Sequence, residues 1–120
     1  MSIIDAGVAR GIRLFNQGKY WEAHEALEEV WLKALGERKR FLQGLIQTAA
    51  SLHHYMRRNQ DGFGSLLSKG LDKLNSCQQI HEGIDVISLR RELQSWSEYA
   101  RDSAAGRDCR RPPWPKIRRL

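Results

Sequence analysis

A chain of 120 residues is most simply one domain, long enough to bury a core without disulfides or structural metal. Its hydrophobic content of 41% is ordinary for a globular protein, and its apolar runs fall far short of the roughly 20 residues that span a bilayer. The net charge of +6 suggests a nucleic-acid partner until it is located: residues 107–120, RDCRRPPWPKIRRL, hold six basic residues and one acid, which leaves about +1 for the other 106.

The chain opens on MSIIDAGVARG, with an early acid and no long apolar segment, so no secretory leader is read there and a cytoplasmic home is expected. Apolar residues then recur at helical spacing almost throughout, without the strict alternation of strands. A first helix is predicted over about 5–17, with Val8, Ile12, Leu14 and Phe15 inward. Asn16-Gln-Gly18 makes a turn, since glycine tolerates the left-handed conformation that ends a helix. A second helix over about 19–34 buries Tyr20, Ala23, Leu27, Val30, Trp31 and Ala34 and is closed by Gly36. A third, about 37–58, carries the stripe Phe41, Leu45, Ala49, Leu52 and Met56. A fourth, about 63–79, carries Phe63, Leu66, Leu67, Leu71 and Leu74. It also holds Gly64 and Gly70, whose cost in a helix implies close approach of another helix. Residues 81–87 are expected as a loop, and Ser88 as the cap of a last helix over about 89–104 with Leu89, Leu93, Trp96 and Ala100 inward.

The breaks FNQGKYWEAHEAL and RNQDGFGSLLSKGL resemble each other at an offset of about 43 residues, which suggests two related helical hairpins. Gly18, Tyr20 and Ala23 also stand as in a tetratricopeptide turn. A solenoid needs about three repeats, and at most two are visible. The expected fold is therefore all-α: a compact bundle of about five helices built from hairpins, weakly tetratricopeptide-like, over residues 1–105. A basic, Pro- and Trp-containing tail follows at 106–120. Its prolines forbid a helix. It either drapes loosely over the surface or docks through Trp114 and Ile117, and its cations have the exposed acids Glu22 and Glu29 as one expected target. Cys77 and Cys109 are isolated and read as free thiols, unsuited to a cysteine zinc site.

The chemistry concentrates in YWEAHEALEEVW, residues 20–31. At about 100° per residue from Tyr20, His24 falls near 40°, inside the apolar face, Glu28 near 80°, at its edge, and Glu25 near 140°. His24 and Glu28 are i, i+4 neighbours. Tyr20, Trp21 and Trp31 supply aromatic support, while Glu22 and Glu29 point to solvent. On the third helix Gln43, Gln47, Ala50 and His54 form one row, and His53 lies about 100° from His54. Antiparallel pairing of helices two and three would assemble His24, Glu25, Glu28, Gln43 and one of the two adjacent histidines. Such a face can be a satisfied polar network that fixes register. It can also be a divalent transition-metal site, or an acid–base site with a carboxylate desolvated against Trp21 or Trp31. The spacing His-Glu-x-x-Glu lacks the second histidine of a zinc-protease helix, no second Glu-x-x-His follows, and no phosphate-binding glycine loop or nucleophile arrangement is present.

The run FNQGKYWEAHEALEEVWLKALGE, followed by FLQGLIQTAASLHHY, resembles a family of small all-helical prokaryotic proteins catalogued as domain of unknown function 309, over about residues 10–75. The motif Gly-x-Tyr-x-Glu-x-His-Glu-x-Leu-Glu-x-x-Trp stands here as Gly18, Tyr20, Glu22, His24, Glu25, Leu27, Glu28 and Trp31, followed by Gln43, Gly44 and His53. The resemblance implies a compact helical fold, an uncharacterised activity, and His53 rather than His54 as the partner of His24. The expected function is a binding or scaffolding module for a protein or small molecule. The alternative is a metal-dependent hydrolase-type enzyme using His24, Glu25, Glu28 and His53, with His24, Glu28 and His53 as ligands. Nucleic acid would be reached through the basic tail alone.

Overall fold

The computed structural model describes residues 4–78 and 80–120, so the part of the amino-terminal reading that rests on residues 1–3 lies outside the described residues. Within them five helices follow one another: α1 (Ala6–Asn16), α2 (Tyr20–Trp31), α3 (Gly36–Met56), α4 (Gln60–Asn75) and α5 (Val86–Ala104). The protein is all-α, apart from a two-residue-per-strand hairpin, β1 (Ile80–His81) with β2 (Ile84–Asp85).

Local chemistry sets the boundaries. The Asp5 carboxylate accepts from the Gly7 and Val8 amides and starts α1; Gly18, at φ +79°, turns the chain into α2. Asn59 accepts from the Gly62 amide, so α4 begins at Gln60, three residues before the sequence reading placed it. Gly36 opens α3 instead of closing α2. Each helix packs on the next, and α3 and α4 approach most closely where Gly44 meets Gly70. A Cβ on Gly70 would sit 2.8 Å from Thr48 Oγ1 and 3.0 Å from the Gly44 carbonyl. Close approach thus accounts for Gly70. It does not account for Gly64, which meets nothing within 4 Å and lines a cavity between α4 and α5.

The core runs the length of the molecule through Phe15, Leu27, Phe41, Leu52, Leu93 and Trp96. Of the expected inward residues, Met56 departs most: it is 57% exposed, because α3 ends there beyond the last turn that α4 covers.

The predicted loop after α4 is partly ordered. Glu82 (φ +52°) and Gly83 (φ +75°) form a tight left-handed turn between β1 and β2, the geometry that suits the twist of a two-residue hairpin. Asp85, not Ser88, caps α5: its carboxylate accepts from the Ser88 amide at 3.0 Å and from the Ser88 hydroxyl at 2.6 Å. The helix therefore starts three residues earlier than the sequence suggested.

The tail docks. Arg119 bridges Ile84 as a third strand edge, with the Asp85 amide donating to the Arg118 carbonyl at 2.9 Å and the Leu120 amide to the Gly83 carbonyl at 2.8 Å. The Asn16 side chain clamps Ile117 from both sides, donating to its carbonyl and accepting from its amide, each at 2.8 Å. Arg118 pairs with Glu92 and Arg107 with Asp102, so these two cations of the tail meet α5 rather than Glu22 and Glu29.

Candidate functional site

Antiparallel packing brings the start of α2 against the end of α3. The Trp21 indole lies flat on the His24 imidazole, with centroids 4.7 Å apart and planes 8° apart, and its other neighbour is His53 at 5.0 Å. His24 Nδ1 lies 3.6 Å from Glu28 Oε2, just beyond hydrogen-bond reach, and is buried without a partner. His53 touches the ring of His54 edge-on at 5.8 Å. Burial pushes the His53 pKa below the ordinary histidine value; Arg57, His54 and His24 act in the same direction and Glu22 opposes them.

The other sequence-derived candidates sit elsewhere. Glu25 is exposed, and Glu28 is 48% exposed, so neither carboxylate is buried against Trp21 or Trp31. Gln43 is half-buried ten residues before His53, about 15 Å along the helix at 1.5 Å per residue. Its row faces α4: Gln47 accepts from Lys73 Nζ at 2.9 Å, and His54 Nδ1 is 3.1 Å from Asn59 Nδ2. His53, not His54, therefore faces α2. Trp31 carries Lys39 Nζ 4.3 Å above its ring. Tyr20 is buried, edge-on to Phe15 at 5.2 Å, and burial raises its pKa to about 12.

What assembles is thus Trp21, His24, Glu28 and His53. Imidazole and carboxylate are suitable ligands for a transition metal, and the unpartnered Nδ1 of His24 is on the Glu28 side of its ring, where the two could share an ion. Among the described residues, however, no three His, Cys, Asp or Glu side chains converge as a ligand set.

A second feature has no counterpart in the sequence reading. Where the tail crosses the α3–α4 turn, a cavity of about 640 Å³ is lined by Tyr55, Met56 and Trp114, by the cations Arg58 and Arg111, and by Asn59 and Gln60. Trp114 stacks on Trp96 (5.2 Å, 26°) and carries the Arg111 guanidinium 4.4 Å from its centroid. The Tyr55 hydroxyl bonds that of Tyr99 at 3.1 Å; burial and this bond raise its pKa to about 12, while Arg111 pulls it down. Trp114 was legible as an apolar anchor. Arg58 was not, because its position depends on a left-handed backbone (φ +61°) that arginine rarely adopts.

Residues 8–66 match the profile of a family described as "Domain of unknown function (DUF309)", a span that includes Trp21, His24, Glu28 and His53 but not the tail. An uncharacterised protein of Aquifex aeolicus (strain VF5) is 32% identical over 81 residues, which is 67% of this chain and 24% of that protein. The uncharacterised protein YpuF of Bacillus subtilis (strain 168) is 35% identical over 71 residues, 58% of this chain and 39% of YpuF. The matched region thus spans about a quarter and two fifths of these relatives. A crystal structure of a conserved hypothetical protein from Thermus thermophilus aligns with a TM-score of 0.67 at 33% identity, covering 80% of this chain and 99% of that one.

Proposed function

The chain belongs to the DUF309 family, and on that premise we propose that it is a binding module whose contact surface is the Trp21–His24–His53 face. One observation carries the reading: Trp21 is 44% exposed, yet its ring stacks flat on His24 and also meets His53, tilted by 39° at 5.0 Å. A large aromatic side chain kept rigid at the surface offers contact area at little entropic cost, which is the character of an interface anchor. The partner is a protein segment or small molecule that covers Trp21 and the edge of the His24 ring stacked on it. Among the described residues no helix is long and apolar enough to cross a membrane.

A second reading, a metal-dependent hydrolase-type centre on His24, Glu25, Glu28 and His53, has its own support in the unpartnered His24 Nδ1 beside Glu28. A metal bound there would polarise a substrate oxygen or acidify a bound water. His24 and Glu28 fit such an ion by type and separation; among the described residues His53 does not converge with them as a third ligand.

Elemental analysis of purified, untagged protein after incubation with zinc and manganese and gel filtration separates the two. The binding module predicts far less than one equivalent of metal in the native protein. One equivalent retained by the native protein and lost in His24→Ala would overturn it in favour of the metal centre.

A further inference from the structure

The cavity beside the tail is built from residues other than those of the Trp21 face. Its two cations are Arg58 and Arg111, and none of its lining residues is acidic. The ion pairs among the described residues engage other basic groups, so both guanidiniums lack a carboxylate partner there. Arg111 spends one donor on the neighbouring Pro112 carbonyl at 3.0 Å, which leaves most of its donor fork free.

Arg58 is placed at a cost. It follows the last turn of α3, its amide donating to the Tyr55 carbonyl at 3.0 Å, in the left-handed position where helices usually end on glycine. A non-glycine residue there is strained, and strain of this kind collects at ligand clamps. Arg111 lies over the face of Trp114 that Trp96 leaves open, 4.4 Å from its centroid, and Tyr55 stands edge-on to both indoles at 5.0 and 6.0 Å. The half-free thioether of Met56 completes an adaptable apolar rim.

We propose that this cavity is a binding site for a small aromatic anion, whose ring lies against Tyr55 and Met56 beside the Arg111–Trp114 stack and whose phosphate or carboxylate is held by Arg58 and Arg111. The volume of about 640 Å³ lies within the range of small-molecule pockets, and two guanidiniums suit a planar or tetrahedral oxyanion better than they suit any neutral group. Two of the elements that build it, Arg111 and Trp114, lie outside the family match, so the site belongs to this chain's own tail as much as to its helices.

Isothermal titration of the full chain tests it, with adenosine monophosphate as aromatic phosphate and 2-naphthoate as aromatic carboxylate, against adenosine and inorganic phosphate. The expected result is a saturable one-to-one isotherm for at least one aromatic anion, tighter than for either control and weakened by added salt. Whichever of the two binds better names the anionic group. Arg58→Gly, which suits the left-handed backbone and keeps the fold, and Arg111→Gln should each weaken binding about tenfold, the loss of one charged hydrogen bond. Melting curves establish that both variants are folded. No binding of either anion, adenosine binding as well as its monophosphate, or undiminished binding by both arginine variants would overturn the proposal.

Discussion

Trp114 and Trp21 each stack on a neighbouring ring, and the seams they form are opposites. Trp114 stacks on a fully buried Trp96 whose indole nitrogen donates to the Pro113 carbonyl at 2.9 Å, and the adjoining tail is tied down by Asn16, Glu92 and the edge of β2. Trp21 stacks on His24 just as closely, but stays half in solvent and leaves His24 Nδ1 without a partner. At the tail the Trp96 indole, the Asn16 amide and the Glu92 carboxylate all find mates, as buried groups must when their purpose is cohesion. A half-exposed indole held flat on an imidazole is what a surface that awaits a partner looks like.

That contrast breaks first, and with the largest effect, at the tail. Deleting residues 107–120 removes the burial of Trp114 and Ile117, at roughly 2–3 kcal/mol for each large side chain, for an expected loss of about 5 kcal/mol in urea unfolding. Set against a total stability of roughly 5–15 kcal/mol, that is about a third or more of what keeps the chain folded. A loss under about 1 kcal/mol would mean that the seam is ornamental and the comparison misplaced. Asn16→Ala is the finer cut. It removes both clamps on the Ile117 peptide while leaving every aromatic contact, and should cost about 2 kcal/mol. A cost equal to that of the deletion would show that the hydrogen bonds, rather than the rings, hold the tail.

The same contrast explains how far the sequence could be read. Helices α1 to α4 and most of their inward residues, Met56 excepted, follow from periodicity and turn residues, both of which are local. Bringing one of the two adjacent histidines toward His24 needed the antiparallel hairpin as well, the choice of His53 rested on the family resemblance, and Gln43 fails by simple length: ten residues of helix separate it from His53. Residues 80–85 form a hairpin because the tail supplies a third edge to Ile84, a partner some 35 residues away in sequence that no local pattern announces. Arg58 was illegible for a related reason. Its left-handed backbone is imposed by the α3–α4 turn, whereas Gly18 advertises the same geometry by its identity. The tail itself was visible as two alternatives, and the apolar anchors Trp114 and Ile117 are what decide for docking.

The smallest effect is expected at Trp21, and it sharpens the comparison most. Because the side chain is half exposed, Trp21→Ala should change stability at neutral pH by no more than about 1 kcal/mol. Its signature lies in His53. Burial holds that imidazole's pKa below its ordinary value near 6.5, and the Trp21 ring, 5.0 Å away, is part of the cover. With the folded pKa depressed, the unfolded chain takes up this proton first as pH falls. The contribution of His53 is therefore intact above about pH 6.5 and is lost as the pH drops toward the folded value. Removing the indole admits water, so in Trp21→Ala the His53 pKa should rise and the acid-side loss should shrink. Titration of the His53 ring protons by NMR in the two proteins reads this directly. An unchanged His53 in the variant would mean that the imidazole is covered by α3 and its neighbours alone. Trp21 would then be a bystander on the surface, and the contact face would have to be sought around His24 and Glu28 without it.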